Sequence, residues 1–220
     1  MAWKSFYLAA GVVSTLALPL YGGSSGENHL PDGPTLVAAC HTSFLDGPLI
    51  ALAYARTKLR PLHMIAYSEP FRHWLMGWIL RSGGAIPFSR GDRVAQGGML
   101  TQALGWLAAG EAVGIFPEAH INPRPTLGRP RRGMALLALE SGLPVTPAVV
   151  DGSSDLLPLA ASWPRWGKLA RVRFGPPVRL SPQEADYASL PQAERRVLLG
   201  SLTGRVMRAL SELSGRPLPG

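Results

Sequence analysis

A single cysteine, Cys40, stands in this 220-residue sequence. One thiol excludes an internal disulfide framework and a cysteine-based metal site, and it is compatible with a reducing compartment. Charge is also scarce: 16% of residues are charged against 46% hydrophobic, and the mean hydropathy is positive. Such values fit a surface that meets lipid, although a large buried sheet pushes them the same way. Acidic residues are the scarcer sign, 14 against 22 Lys and Arg, which leaves a net charge of +8 and a pI near 10.4, with Arg far outnumbering Lys. That balance favours an anionic partner: phospholipid, phosphorylated substrate or nucleic acid. Against nucleic acid, the sequence has no recognised binding motif and no aromatic residues interleaved with the basic ones. There is no internal repeat or low-complexity tract. The length suits one sizeable domain rather than two.

What is present begins with an apolar N-terminus. From Ser5 to Gly22 no charge appears. Such a run of about 18 residues is roughly 27 Å long as a helix, against a hydrocarbon core of about 30 Å. A membrane-inserted or interfacial anchor, a helix packed on the chain's own domain and a cleaved signal peptide are the three readings. The signal reading has only Lys4 in its basic region and no clear cleavage site, so residues 1–22 are expected to be a membrane-associating apolar helix. The turn-rich stretch 23–34 reads as a linker, and residues 35–220 as the domain proper.

Within that domain, short apolar runs alternate with helical stretches. Strands are expected at TLVAAC (35–40), LHMIAY (62–67), GAIPF, AVGIF, PVTPAVV and within ARVRFGPPVRL. Helices are expected from about Phe44 to Tyr54, over EPFRHWLMGWILRSG, from Arg93, over GMALLALES up to Gly142, and in an amphipathic C-terminal segment. This alternation predicts an α/β fold, a central mixed β-sheet flanked by helices.

Four motifs carry the chemistry. In CHTSFLDG, His41 and Asp46 are five positions apart. On one continuous helix they would be separated by roughly 140° around the axis. With His41 at a strand end and Asp46 in the first helical turn, the carboxylate can turn back towards the imidazole. It then holds the ring's tautomer, and the other ring nitrogen takes a proton from an attacking hydroxyl. The competing reading is a capping box, Ser43 to Asp46, that serves only the helix start. No G-x-S-x-G elbow is present, so the base points to direct attack by a substrate hydroxyl. In GGAIPFSRG, Arg90 follows a strand, where a guanidinium can hold a phosphate with paired hydrogen bonds or simply lie solvated in a turn. In GIFPEAH, a proline ends a strand and Glu118 can meet an acceptor hydroxyl or orient an arginine. In LPVTPAVV, Pro144 and Pro147 bracket a strand, a structural feature.

In this order HTSFLD, GAIPFSR, FPE and LPVTP resemble the four sequence blocks of the glycerolipid acyltransferases, the family of 1-acylglycerol-3-phosphate acyltransferase. The resemblance covers roughly Thr35 to Leu180. It implies transfer of a fatty acyl group from a thioester, acyl-CoA or acyl carrier protein, to a lysophospholipid hydroxyl. It makes His41 the general base, Asp46 its charge partner, Arg90 a ligand of the acceptor phosphate and Glu118 an acceptor-site residue. Gly84 matches the glycine of the second block, and Arg132-Gly133 the family's basic-residue–glycine step. The sequence departs from the pattern in two places. Cys40 stands where the family usually has Asn, and Ala119, His120 and Ile121 follow Glu118 where the family usually reads Gly-Thr-Arg. The missing arginine is one expected at the acceptor phosphate; Arg124 or the cluster Arg129, Arg131 and Arg132 are the candidates to replace it. FPEAHIN, with Asn122, also has some likeness to the tafazzin-type transacylases.

The expectation is therefore an enzyme bound to an anionic membrane surface on the cytoplasmic face of the cell membrane. It would act on 1-acylglycerol-3-phosphate or another lysolipid without a cofactor. A non-catalytic basic lipid-binding protein leaves the His–Asp pair unexplained. No metal is expected, because His29, His63 and His73 have no carboxylate at ligand spacing. Trp74 and Trp78, four apart on one helical face, pack in a core or line an interface.

Overall fold

The computed structural model describes residues 18–161, 163–165 and 167–220. Strands β1 (Tyr21–Ser25), β2 (Thr35–Ala39), β3 (Leu62–Tyr67), β4 (Ile86–Phe88), β5 (Ala112–Ile115), β6 (Val145–Asp151) and β7 (Ala170–Phe174) form one sheet in the order β1-β7-β6-β2-β5-β3-β4. The five from β6 to β4 run parallel, while β7 is antiparallel to β6 and β1 parallel to β7, so the sheet is mixed as expected.

Central parallel strands are covered on both faces and need apolar residues at every position. Every residue of β2 is buried, and successive side chains feed opposite cores. Leu36, Ala38 and Cys40 pack with helices α3 (Arg93–Ala108), α4 (Gly133–Ser141) and α7 (Gln192–Ser214). Val37 and Ala39 pack on the other face with α1 (Asp46–Lys58). The result is three layers, helices on both sides of the sheet. Two shorter helices, α5 (Ser153–Leu156) and α6 (Pro182–Ala185), and α2 (Trp74–Ser82) complete the set.

Several expectations need correction. The apolar helix over 1–22 lies outside the described residues as far as position 17; beyond it, Leu18–Leu20 form a 3-10 turn and Tyr21 enters β1. Nor is 23–34 only a linker, since Gly23, Ser24 and Ser25 belong to β1 and Leu30 is buried in the core. That glycine- and serine-rich strand carries no apolar alternation because it is an edge strand, held by its backbone register with β7. The helix expected over residues 69–83 is split at His73 into a 3-10 turn, Glu69–Arg72, and α2. Pro147 sits inside β6, opposite Ala38, rather than at its boundary.

Parallel strands put all their C-terminal ends on one edge of the sheet, the usual place for a site in such folds. His41, the end of β3, Arg90, Glu118 and Asp151 all fall on that edge.

Candidate active site

After β2 the chain turns through His41–Leu45 into α1, and Asp46 organises the turn. Its Oδ2 accepts the backbone N–H of Thr42 at 2.5 Å and of Ser43 at 2.8 Å, and lies 3.2 Å from His41 Nδ1. The capping box itself does not form: Leu45 precedes the first helical residue, and Ser43 Oγ donates to the Leu157 carbonyl (2.9 Å) instead of accepting the Asp46 N–H. A carboxylate only accepts, so Nδ1 is the donor in this contact and Nε2 is the nitrogen left for another partner. Asp46 is fully buried, whereas the His41 side chain keeps 15% of its surface open. Among the described residues nothing bonds Nε2. The imidazole stacks on Phe116, with ring centroids 3.8 Å apart and planes 10° from parallel.

Both backbone groups of His41 are held from the loop after β5. Its N–H donates to Glu118 Oε1 (3.3 Å) and its carbonyl accepts from Asn122 N–H (2.6 Å). Glu118 is itself buried, and its Oε2 accepts from Gly128 N–H (2.6 Å) and Asn122 Nδ2 (2.9 Å). All of these donors belong to the chain. Glu118 thus lies buried behind His41 and ties its backbone N–H to the 122–128 loop. Cys40, just before His41, is buried, and its thiol is pushed up to about 11, chiefly by burial and then by the charge of Glu118.

Arg90 follows β4. Its guanidinium lies over the Tyr67 ring at 5.6 Å, and Nη2 donates to the Tyr67 hydroxyl (2.5 Å) and the Ala119 carbonyl (2.7 Å). Ala119 has a positive φ of 52°, a conformation that favours glycine. Arg90, Arg131 and Arg132 line one cavity of about 570 Å³, whose wall also includes Met99, Leu100 and Leu136. An anionic group and an apolar chain can thus be held side by side. Arg124 lines a smaller cavity of about 200 Å³ beside Cys40 and Thr42 instead.

Gly84 does not join this site. It precedes β4 while Arg90 follows it, and the register that pairs Ile65 with Ile86 sets it level with His63, at the other end of β3 from Tyr67. Its φ is +68°, and a Cβ there would lie 2.3 Å from His63 Nδ1. Close packing against His63 explains the glycine. Phe116, Tyr67 and the bracing role of Asn122 escaped the sequence reading. Position at a strand's C-terminal end was the one signal pointing to Tyr67. Among the described residues, no group of three or more His, Cys, Asp or Glu can hold a metal ion.

The model of the acyltransferase family matches residues 24–151, from β1 to the last residue of β6. The chain belongs to the acyltransferase family. Over 188 residues, 84% of this chain, it is 26% identical to a 1-acyl-sn-glycerol-3-phosphate acyltransferase of Chlamydomonas reinhardtii. Over 136 residues, 60% of the chain, it is 27% identical to a chloroplastic enzyme of that name from Brassica napus. The chain spans 53% and 38% of the length of those relatives. The crystal structure of the 1-acyl-sn-glycerophosphate acyltransferase PlsC from Thermotoga maritima shares the fold, with a TM-score of 0.67 at 21% identity over 96% of this chain and 80% of that one.

Proposed function

We propose that the protein acylates the free hydroxyl of 1-acylglycerol-3-phosphate, using acyl-CoA or acyl carrier protein as donor, to give phosphatidic acid. The observation that carries this reading is the His41–Asp46 pair, with Nε2 unpartnered among the described residues, on the same loop system as a cavity lined by Arg90, Arg131, Arg132 and an apolar wall. Nε2 takes the proton of the acceptor hydroxyl as its oxygen attacks the thioester carbonyl carbon. Asp46 stabilises the resulting imidazolium. The tetrahedral intermediate collapses, the C–S bond breaks, and the proton passes from Nε2 to the departing thiolate. Arg90, held by Tyr67 and the Ala119 carbonyl, and Arg132 bind the acceptor phosphate. In this family membership the substrates are an acceptor and a donor, and no cofactor takes part in the steps.

We also place the sheet's C-terminal edge on an anionic membrane surface, at the cytoplasmic face where thioester donors are found. Phe44, Trp74 (77% exposed), Val94 and Trp163 (81% exposed) all follow parallel strands onto that edge, among Arg72, Arg93, Arg165 and Lys168. Tyr21, where β1 begins, pairs with Ala170 on the same edge. Among the described residues, no helix is long and apolar enough to cross a membrane.

The test is a panel of lysolipid acceptors with labelled acyl-CoA and acyl carrier protein. Preference for lysophosphatidate is expected, and Arg90→Lys should raise the KM for that acceptor more than for the donor, because an ammonium lacks the guanidinium's planar fork. Preference for an acceptor without a phosphate monoester would overturn the acceptor assignment; no transfer to any acceptor would point to a lipid-binding role instead.

A further inference from the structure

We propose that Arg216, in the tail after α7 and outside the family-matched segment, is a positioning residue for His41. This rests on the reading of His41 as the general base. The loop that holds His41 has the sequence N-P-R-P-T at residues 122–126. Pro123 and Pro125 have no N–H, so the loop is short of the donors that would satisfy its own carbonyls. Arg216 supplies them. Its Nη2 donates to the carbonyls of Asn122 (2.8 Å), Arg124 (2.6 Å) and Thr126 (2.9 Å), two N–H groups serving three acceptors.

The tail is itself fixed. Gly215 caps α7 in the left-handed conformation, Ser211 Oγ donates to the Arg216 carbonyl (2.7 Å), and the Pro217 carbonyl accepts from the N–H of buried Leu127 (2.8 Å). From the loop the chain of contacts reaches the base in one further step. Asn122 donates its backbone N–H to the His41 carbonyl, and its side chain to Glu118, which accepts the His41 N–H. Both backbone groups of the base therefore hang on a loop whose carbonyls converge on Arg216. At position 121, where the family resemblance expects an arginine, this chain has Ile121. The guanidinium beside the FPE loop comes instead from a residue almost a hundred positions later.

The experiment compares full-length wild type with Arg216→Ala, Arg216→Lys and His41→Ala in steady-state assays at 25 °C, with acceptor and donor varied separately and folded fraction checked by circular dichroism. A displacement of about 1 Å at a reacting group can cost about 10²-fold, so Arg216→Ala is expected to lower kcat roughly tenfold to a hundredfold. Both KM values should stay within about twofold, as for a residue acting on positioning rather than uniform binding. Arg216→Lys, with three donors on one ammonium, should recover part of the loss. Combining Arg216→Ala with Asn122→Ala should cost no more than the worse single change. If Arg216→Ala does not fold, Arg216→Gln takes its place. Unchanged kcat in a folded variant, a change confined to KM, full additivity with Asn122→Ala, or failure of both variants to fold overturns the inference. Retained turnover in His41→Ala would instead remove the base assignment, a separate result.

Discussion

Two histidines of this protein share a local design and differ in what surrounds it. His41 stacks on Phe116 and directs Nδ1 at the Asp46 carboxylate; His63 stacks on Trp106, with centroids 4.1 Å apart, and places Nδ1 2.9 Å from the Gly84 carbonyl. His41 lies past the C-terminal end of β2, on the edge where loops diverge. His63 is the second residue of β3, near the opposite edge, and is only 4% exposed. Among the described residues its Nε2 is buried without a partner, and burial holds its pKa below the ordinary value, with the Gly84 hydrogen bond opposing. An aromatic stack and an anchored Nδ1 are common to both rings, so they do not single out the proposed base. What separates the two is the partner of Nδ1, a carboxylate at His41 and a backbone carbonyl at His63, and the exposure of the ring.

Exchanging the losses of the two rings breaks the comparison most sharply. His41→Ala should lower acyl transfer by about 10²–10⁴-fold with little change in thermal midpoint. His63→Ala should cost about 2–4 kcal/mol of stability while the folded fraction keeps most of its turnover. Turnover assays paired with thermal melts decide it, and equal effects in the two variants would erase the distinction. Next in size, Asp46→Asn should lower kcat by at least about tenfold, through lost stabilisation of the imidazolium. Because Asp46 also holds the turn at Thr42 and Ser43, a melting shift equivalent to about 1–2 kcal/mol should accompany it. A melting shift with intact kcat would reduce Asp46 to a cap.

Gly84→Ala probes the other edge. The added Cβ meets the His63 ring at 2.3 Å and the backbone sits at positive φ, so a loss of about 1–3 kcal/mol is expected. The acceptor KM should not move; a raised KM at unchanged stability would return Gly84 to the binding site. The smallest effect is pH-dependent. Unfolded chain protonates at His63 near 6.5 while the folded ring resists, so the folded state is fully favoured above that pH. Stability then falls as pH drops, levelling off once the depressed folded pKa is passed. One proton limits the slope to about 1.4 kcal/mol per pH unit. Melts of wild type and His63→Gln from pH 7.5 to 5 should show the steeper decline in wild type, and parallel curves would exclude the ring as the cause.

Much of the sheet was legible because central parallel strands need unbroken apolar runs, and TLVAAC, LHMIAY and PVTPAVV stand out between turn signals. β1 was not legible: after Tyr21, which packs on the core, this edge strand is Gly and Ser paired through the backbone with β7, which leaves no side-chain pattern. The family resemblance singled out His41, Asp46, Gly84 and Arg90, but it carries no packing information, so the close approach of Gly84 to the His63 ring was not legible. Nor could it rank the arginines that follow Glu118. Arg124 and Arg132 are equivalent as loop cations in the sequence, yet they line different cavities.

By itself the sequence determined the strand–helix alternation, the positive balance and the adjacency of histidine and carboxylate, because these rest on periodicity, composition and spacing along the chain. Tertiary structure alone decided that Arg90, Arg131 and Arg132 share one cavity, that Glu118 braces His41 from behind, and that Arg216 reaches the 122–126 loop. Those contacts span up to about ninety residues. A buried donor takes whichever acceptor the packed fold brings within reach, and that proximity has no local pattern to read.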